Sequence, residues 1–157
     1  MAVLTVSDGV ASGKRQDVSG ATIAEWAAAR GYRVEAREVT ADETADIARR
    51  LIAWADGGAV DLILTTGGTG LAARDLTPEA TKAVIEREAP GIAEYIRAKG
   101  AAYVPLAVLS RGVAGVRGAT LIVNLPGSVG GVKDGLTALE TIVEHAIELL
   151  KGHTEHS

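Results

Sequence analysis

The stretch that organises this chain runs from residue 62 to residue 75 and reads Leu-Ile-Leu-Thr-Thr-Gly-Gly-Thr-Gly-Leu-Ala-Ala-Arg-Asp. It begins as a short apolar run typical of a buried strand and then places Gly67, Gly68 and Gly70 within four residues. A buried strand that runs into a glycine loop is the usual way in which an α/β protein brings its backbone close to a phosphate. Because one glycine would be enough for a tight turn, the three together indicate the close approach of a ligand.

The segments around this stretch alternate between strand-like and helix-like patterns. Five segments have the pattern of strands, namely residues 2–6, 32–39, 61–66, 113–117 and 119–124. The first helix is predicted at residues 21–30, and a second begins at a capping box formed by Thr40 and Glu43. A third begins at Thr77-Pro78 and ends at Pro90, and a fourth covers residues 92–99. A short helical piece is predicted before Arg111, and a long helix follows Ser128 and ends at about Leu150. This alternation predicts an α/β protein, a three-layer α/β/α sandwich with a mostly parallel sheet and an antiparallel edge hairpin.

Local signals predict the ends and faces of several of these segments. Ser19 is the expected cap of the first helix. The second helix is expected to bury Ile47, Leu51, Ile52 and Ala55. Residues 32–39 have one solvated face, which suggests an edge strand. Gly118 alone separates the last two strands, which predicts a tight antiparallel pair.

Composition limits the class of protein. A chain of 157 residues can bury its own core, and we expect a single domain at residues 1–151 followed by a polar tail at 152–157. The absence of cysteine excludes a disulfide framework, a thiolate nucleophile and a cysteine-ligated zinc. The net charge of −4 argues against a general nucleic-acid binder. No signal-peptide pattern and no apolar run near the roughly 20 residues of a spanning helix occur, so we expect a soluble, cytoplasmic protein with no membrane partner.

Three of the predicted strands end in small or turn-forming residues. These endings are Ser7-Asp8-Gly9, residues 67–70, and Pro126-Gly127-Ser128. In open α/β sheets, ligands bind outside the carboxyl ends of the strands. We therefore expect the three loops to converge on one crevice that is rimmed by backbone N–H groups.

Two familiar phosphate-binding motifs do not fit the glycine loop. Gly68-x-Gly70-x-x-Ala73 matches the dinucleotide fingerprint in its letters, but the helix begins only near Pro78. In addition, no acidic residue ends a following strand about 20 residues later, as the fingerprint requires. A Walker A loop is excluded because Gly-Lys-Ser/Thr does not occur. A nicotinamide-dependent oxidoreductase is therefore a disfavoured hypothesis.

The acidic residues near the loops have both structural and functional interpretations. Asp75 follows the glycine loop, where it is either a cap for the Thr77-Pro78 turn or a carboxylate that shares Mg²⁺ with substrate phosphates. Asp42 lies in the first turn of a predicted helix, and by itself its favourable interaction with the helix dipole is the better interpretation. The histidines, away from every glycine loop, are interpreted as surface residues: His145, His153 and His156.

Further motifs extend the pattern over nearly the whole chain. They are Thr5-Val6-Ser7-Asp8 with Asp17-x-Ser19-Gly20, Thr65-Thr66-Gly67-Gly68-Thr69-Gly70 with Arg74-Asp75-x-Thr77-Pro78-Glu79-Ala80, Glu86-Arg87-Glu88-x-Pro90-Gly91, Leu109-Ser110-Arg111, and Asn124-Leu125-Pro126-Gly127-Ser128. Together these motifs resemble the molybdopterin-binding family that includes Mog- and MoaB-type proteins and the G domain of gephyrin. The resemblance covers about residues 2–150.

The resemblance implies a function in molybdenum cofactor biosynthesis. Mog-type members are molybdopterin adenylyltransferases, which transfer AMP from Mg-ATP to the terminal phosphate of molybdopterin and release pyrophosphate. It implies that Asp42 and Asp75 are the catalytic acids and hold Mg²⁺, that the protein is a homotrimer, and that a molybdenum-insertion protein acts downstream. The substrate-binding residues that it implies are Ser7, Asp8, Thr66, Gly67, Gly68, Thr69, Gly70, Asn124, Pro126, Gly127 and Ser128.

The resemblance leaves two questions open. The residue that neutralises the remaining phosphate charge is Arg74, Arg111 or Lys133, and Lys133 lies further along the chain than the lysine that follows Pro-Gly in many relatives. MoaB-type members share the fold, and some lack clear adenylyltransferase activity. The alternative function is therefore a non-catalytic molybdopterin-binding or carrier protein, although the presence of both Asp42 and Asp75 favours an active enzyme.

Overall fold

Six strands form one mixed sheet in the computed structural model, which describes residues 1–154. The strands are β1 (Ala2–Val6), β2 (Ala36–Thr40), β3 (Leu62–Thr66), β4 (Arg87–Glu88), β5 (Ala114–Arg117) and β6 (Thr120–Leu125). Their order across the sheet is β2-β1-β3-β6-β5-β4. Strands β2, β1, β3 and β6 are mutually parallel, whereas β5 and β4 add to one side in antiparallel fashion. The predicted fold class, including the antiparallel edge hairpin, is confirmed.

Helices cover both faces of this sheet. They are α1 (Asp8–Ala11), α2 (Val18–Ala29), α3 (Thr44–Asp56), α4 (Thr77–Val84), α5 (Pro90–Ala101), α6 (Val129–Glu140) and α7 (Val143–Leu150), and Pro105–Leu109 forms a 3₁₀ turn. None of the helices in the described part of the chain is long and apolar enough to cross a membrane. Residues 155–157, the end of the predicted tail with His156, lie outside the described residues.

The core has two halves, one on each face of the sheet. On one face, Leu64 and Val123 pack among α2, α5, α6 and α7. On the other face, Leu4 and Ile63 pack against α3 and α4. Because successive side chains of a strand point to opposite faces, a strand covered on both sides is continuously apolar. This explains why β1 and β3 are buried along their whole length.

Two helix starts differ from those expected. Asp17 caps α2, its side chain accepting the Gly20 N–H at 2.9 Å, so the prediction of Ser19 as the cap was wrong. The capping box at Thr40 and Glu43 was also wrong, because Glu43 is the N-cap of α3 and makes no side-chain cap bond. Thr40 is instead the last residue of β2, where its carbonyl accepts the Ser7 N–H at 2.9 Å. Sheet pairing therefore overrides the local capping signal.

The remaining differences concern element boundaries. The prediction of a single long C-terminal helix was wrong, because the helix is interrupted between α6 and α7. At this interruption the Thr141 hydroxyl donates to the Ala138 carbonyl at 2.9 Å. Such side-chain bonds to the backbone compete with helix propagation. Ile52 is exposed rather than buried. Strand β2 begins at Ala36, not at residue 32, and β4 was missed because its two residues are exposed and too few to show a period.

Candidate active site

Loops from the carboxyl ends of three parallel strands converge on one polar cavity of about 410 Å³. The loop after β1 contributes Ser7, the loop after β3 contributes Gly67 and Gly68, and the loop after β6 contributes Gly127 and Ser128. These strands are adjacent and parallel in the sheet, so their carboxyl ends lie at the same edge. The expected convergence of the three loops is confirmed.

Neighbouring protein groups require glycine in the loop after β3. Gly67 and Gly68 both have positive φ, 96° and 67°, which disfavours any residue with a side chain. A Cβ on Gly67 would collide with the Val6 carbonyl oxygen, and one on Gly68 would collide with the Thr77 hydroxyl. A Cβ on Gly70 would lie 2.8 Å from an Asp75 carboxylate oxygen. Packing against protein groups thus accounts for the glycines that the sequence reasoning ascribed to a ligand.

Hydrogen bonds to the loops after β3 and β6 hold them together. The Gly67 N–H donates to the Leu125 carbonyl at 3.2 Å, and the Thr66 hydroxyl donates to the Pro126 carbonyl at 2.7 Å. From the first turn of α4, the buried Thr77 hydroxyl donates to the Gly67 carbonyl at 2.9 Å. Thr77 is therefore an anchor for the glycine loop rather than a helix cap. The Gly67 N–H, already bonded to protein, is not free to bind a ligand.

Asp42 and Asp75 both line the polar cavity. One oxygen of Asp42 accepts the Asp8 N–H at 2.8 Å, and one oxygen of Asp75 accepts the Ala72 N–H at 3.0 Å. Each carboxylate therefore has a fixed position and retains lone pairs for another partner. Asp75 does not cap a helix through its side chain, since the N-cap of α4 is Leu76.

Asp8 and Arg74 clamp Asp42 in place. The Asp42 N–H donates to Asp8 Oδ1 at 3.0 Å, which makes the bonding between the two aspartates reciprocal. Arg74 donates to both oxygens of Asp8, at 2.6 and 3.1 Å, and also to the Asp42 carbonyl and to the Glu43 carboxylate. One guanidinium therefore joins the loop after β3 to the starts of α1 and α3.

This network shifts the pKa values of the two aspartates in opposite directions. The hydrogen bonds from Arg74 lower the pKa of Asp8 to about 2. Burial raises the pKa of Asp42, and the negative charges of Asp8 and Asp75 act in the same direction. Opposed shifts in neighbouring carboxyls are typical of functional sites, although structural ion-pair networks also produce them.

Arg111 is committed to fixing the far side of the glycine loop. Its backbone N–H donates to the Thr69 carbonyl at 2.7 Å, and its guanidinium donates to the Gly70 carbonyl at 2.8 Å and the Asp75 carbonyl at 2.6 Å. It also pairs with the Glu79 carboxylate, which lowers the pKa of Glu79. Thr69 is buried, consistent with this closed arrangement.

A second, more apolar cavity of about 560 Å³ adjoins the first. Both cavities are bordered by Gly68, Asp75, Gly127 and Ser128. The second cavity is further lined by Thr69, Gly70, Pro126, Arg97, Leu106 and Asp134, among others. Two chambers with a common wall can hold two molecules, or two parts of one molecule, whose reactive ends meet near Asp75.

Two residues that were expected to bind substrate do not line either cavity. Asn124 is buried, where its side-chain amide donates to the hydroxyls of Thr65 and Thr81, both at 3.0 Å, and accepts the Val113 N–H at 3.1 Å. Asp8 is occupied by the clamp described above. The other nine expected residues line at least one cavity: Ser7, Thr66, Gly67, Gly68, Thr69, Gly70, Pro126, Gly127 and Ser128.

Sequence reasoning missed several residues of the site. Arg15 and Gln16 line the polar cavity, and Arg97 lines the apolar one. Arg15 and Gln16 lie between the first predicted strand and the first predicted helix, in a segment to which the sequence analysis assigned no function. The position of this segment, after a strand whose carboxyl end faces the site, was the available signal. Arg97 on α5 gave no comparable signal.

A protein-family comparison identifies the chain. The family model described as "probable molybdopterin binding domain" matches residues 2–147. The chain belongs to this molybdopterin-binding domain family. Its membership explains why Thr-Thr-Gly-Gly-Thr-Gly and Asn-Leu-Pro-Gly occur together, since the two signatures end neighbouring strands that build one site.

Individual members of the family are similar to this chain over most of its length. The molybdopterin adenylyltransferase of Helicobacter pylori strain J99 is 39% identical over 155 residues, which cover 96% of this chain and 87% of that protein. The molybdopterin adenylyltransferase of Escherichia coli K12 is 39% identical over 152 residues, which cover 92% of this chain and 77% of that protein.

Solved structures of family members have the same fold. The molybdopterin biosynthesis enzyme MoaB of Thermus thermophilus superposes with a TM-score of 0.91 at 50% identity, covering 96% of this chain and 95% of that one. The molybdopterin biosynthesis Mog protein of Mycobacterium ulcerans gives a TM-score of 0.89 at 46% identity, covering 95% and 97%. Similarity thus extends to both the Mog-type and MoaB-type members of the family.

Proposed function

We propose that this protein is a molybdopterin adenylyltransferase of molybdenum cofactor biosynthesis. The observation that carries the proposal is the meeting of Asp42 and Asp75 with three strand-end loops in one polar cavity. The names of the relatives from Helicobacter pylori and Escherichia coli support the same activity. Residues 1–151 form the molybdopterin-binding domain. The protein acts as a homotrimer in the cytoplasm.

The reaction joins two anions. An oxygen of the terminal phosphate of molybdopterin attacks the α-phosphorus of ATP and forms a new P–O bond. The bond between the α-phosphorus and the oxygen that bridges to the β-phosphate breaks, and pyrophosphate leaves. The barrier is mainly electrostatic and positional, because both reactants are negatively charged and must approach in line. The work of this chain is therefore to hold two phosphates close together and to offset their charge.

The residues of the site fit a magnesium ion that is shared with a substrate. Mg²⁺ prefers one or two carboxylates together with phosphate oxygens and waters. Asp42 and Asp75 supply two carboxylates in one cavity, each with free lone pairs. Within residues 1–154, no cluster of three or more His, Asp or Glu residues could hold a metal, so substrate oxygens would have to complete the coordination. When bound, the ion would offset charge on the phosphates.

The two adjoining cavities match a reaction of two substrates. Asp75, Gly127 and Ser128 border both cavities and so lie where the reacting groups would meet. Gly67, Gly68 and Gly70 keep side chains away from this wall, while Thr66, Thr77 and Arg111 fix its backbone. Such rigidity keeps reacting groups oriented, which is worth several kcal/mol in reactions of two bound partners.

Release of pyrophosphate tests this function. The protein is incubated with molybdopterin and Mg-ATP, and pyrophosphate and adenylyl-molybdopterin are followed in parallel, with molybdopterin omitted in the control. We expect both products in equal amounts and only in the complete mixture. Tight binding of molybdopterin with no pyrophosphate would instead support the non-catalytic carrier and contradict the enzyme.

A further inference from the structure

One cationic side chain of the polar cavity has no carboxylate partner among residues 1–154. Arg15 lies in the turn between α1 and α2, is exposed, and lines the cavity together with Ser7, Asp42 and Asp75. Among the described residues, it is the only lysine or arginine that lines this cavity, and no ion pair involves it. In the part of the chain that the structure describes, its guanidinium bonds a single hydroxyl, with Nη2 donating to Ser7 Oγ at 3.2 Å.

The other basic candidates have different roles or positions. Arg74 is engaged by Asp8 and Glu43, and Arg111 is engaged by Glu79 and by the backbone of the glycine loop. Lys133 is exposed on α6 and lines neither cavity. Binding a phosphate through Arg74 or Arg111 would require breaking those contacts, whereas Arg15 would exchange only one bond to a neutral hydroxyl.

The local backbone positions the Arg15 guanidinium over the cavity. The Arg15 N–H donates to the Gly9 carbonyl at 3.1 Å, and the guanidinium lies against Gly9, where an added Cβ would be only 2.5 Å from Arg15 Nε. Gly9 therefore provides the space in which the side chain folds back toward Ser7. This arrangement directs a planar group with several donors toward the strand ends where the three loops meet.

The polar cavity needs positive charge beyond that of one magnesium ion. Asp42 and Asp75 are both acidic, and the substrates of the proposed reaction carry phosphates, so charge of one sign accumulates unless it is offset. A guanidinium binds phosphate through paired N–H donors and stays charged at all accessible pH values. We infer that Arg15 contacts a substrate phosphate in the polar cavity, an inference that rests on the proposed function for its substrates.

The test compares dissociation constants of three variants with that of the unmodified protein. Arg15→Ala removes the group, Arg15→Lys keeps a charge but loses the paired donors, and Lys14→Ala is the matched control, a neighbouring exposed residue that lines neither cavity. Each protein is titrated with Mg-ATP and, separately, with molybdopterin, at low and at high salt. Because binding is measured at equilibrium, the test does not depend on turnover.

We expect Arg15→Ala to raise the dissociation constant of at least one of the two ligands by about tenfold or more, because one charge-assisted hydrogen bond contributes about that much to affinity. Arg15→Lys should recover part of the loss, and Lys14→Ala should bind as the unmodified protein does. The salt dependence of binding should also be smaller in Arg15→Ala. Weaker Mg-ATP binding alone would assign Arg15 to the nucleotide phosphates, and weaker molybdopterin binding alone to the pterin phosphate.

Unchanged dissociation constants for both ligands in Arg15→Ala would overturn the inference. That result would leave the proposed function intact if the same protein still released pyrophosphate. Conversely, an unmodified protein that binds both ligands without releasing pyrophosphate would contradict the proposed enzyme, while the binding measurements would still decide the role of Arg15.

Discussion

At the scale of single residues, the site depends on two carboxylates that are held in different ways. Asp75 is positioned by the N–H of Ala72, within its own loop. Asp42 is positioned by Asp8, which is the first residue of α1 and is itself held by Arg74. Removing one carboxylate charge therefore differs from removing the clamp: the first deletes a ligand for a cation, and the second leaves the ligand present but less well placed.

Neutralising either carboxylate should stop transfer without unfolding the protein. Asp42→Asn and Asp75→Asn are close in size to the natural residues, and we expect each to reduce kcat by about a hundredfold or more, because stabilisation of charge in the transition state is lost. Molybdopterin affinity should change little. The control is Asp46→Asn, at a partly exposed acidic residue that pairs with Arg49 and lines neither cavity, and it should keep full activity. A large loss of pterin affinity in Asp75→Asn would instead make Asp75 a binding residue.

Removing Arg74 should be visible in the titration of Asp8. Because hydrogen bonds from Arg74 lower the pKa of Asp8 from 3.8 to about 2, Arg74→Ala should return that pKa towards 3.8. A depressed pKa in the folded state stabilises the protein above about pH 4, and this contribution is lost as the pH falls towards 2. The unmodified protein should therefore lose stability over this range more steeply than Arg74→Ala. Carboxyl chemical shifts of Asp8, followed by NMR, measure the pKa directly, and an unchanged titration would exclude the clamp.

At the scale of elements, the glycine loop is the joint between β3 and α4. Positive φ at Gly67 and Gly68 turns the chain sharply after the strand, and the Thr77 hydroxyl bonds the turn back to the helix start. The sequence correctly indicated a tight loop and a proline in the first turn of α4. It did not indicate that the tightness comes from the Val6 carbonyl, because β1 is distant in sequence and adjacent only in the sheet.

Three glycine variants separate backbone strain from collision. In Gly31→Ala, the alanine must adopt a positive φ, but its Cβ has no neighbour within 4 Å. The strain alone should lower the free energy of unfolding by about 1–2 kcal/mol. Gly67→Ala meets positive φ and also the Val6 carbonyl of a buried strand, which should add about 1–3 kcal/mol. Gly91→Ala, in the first turn of α5, meets neither, so it should be neutral or slightly stabilising. Urea unfolding measures all three, and equal costs for Gly31→Ala and Gly67→Ala would contradict this account.

At the scale of the whole molecule, exposed apolar residues concentrate in one segment. Tyr103, Leu106 and Val108 are 77%, 70% and 62% exposed, and they lie within or beside the 3₁₀ turn Pro105–Leu109. Exposed apolar patches on a folded protein mark sites of association. The homotrimer that we propose would give this segment a partner.

The mass in solution tests the proposed trimer, and substitutions in this exposed segment test whether it forms the interface. Sedimentation equilibrium should give three times the 16.1 kDa of one chain. The double variant Leu106→Glu with Val108→Glu should shift the mass towards one chain, because burying two carboxylates in an apolar interface is costly. Ile52→Glu, an exposed apolar residue on α3, should leave the mass unchanged. A monomer for the unmodified protein would refute the trimer, and a double variant that remains trimeric would place the interface elsewhere.

The sequence by itself determined the fold class and the three loops, because alternation of strands and helices and glycines after a buried strand are local properties that follow from periodicity and backbone freedom. Asp42 and Asp75 became the candidate acids through the family resemblance, since Asp42 by itself was better explained by the helix dipole. The start of α3 was misplaced because the bond between Ser7 and Thr40 joins residues far apart in sequence. The start of α2 was misplaced although its cap is local, because Asp17 and Ser19 are both suitable cap residues and only the fold shows that Asp17 bonds the Gly20 N–H.

Only the tertiary structure decided how the residues of the site divide their roles. In the sequence, Arg74, Arg111 and Lys133 were equally plausible partners for the substrate phosphates, and nothing pointed to Arg15. In the folded chain, Arg74 is held by Asp8 and Glu43, and Arg111 by Glu79, while Arg15 lines the cavity without a carboxylate partner among the described residues. The physical reason is that the availability of a charged side chain depends on which opposite charges packing brings near it, and the packing of distant segments is not encoded in any single motif.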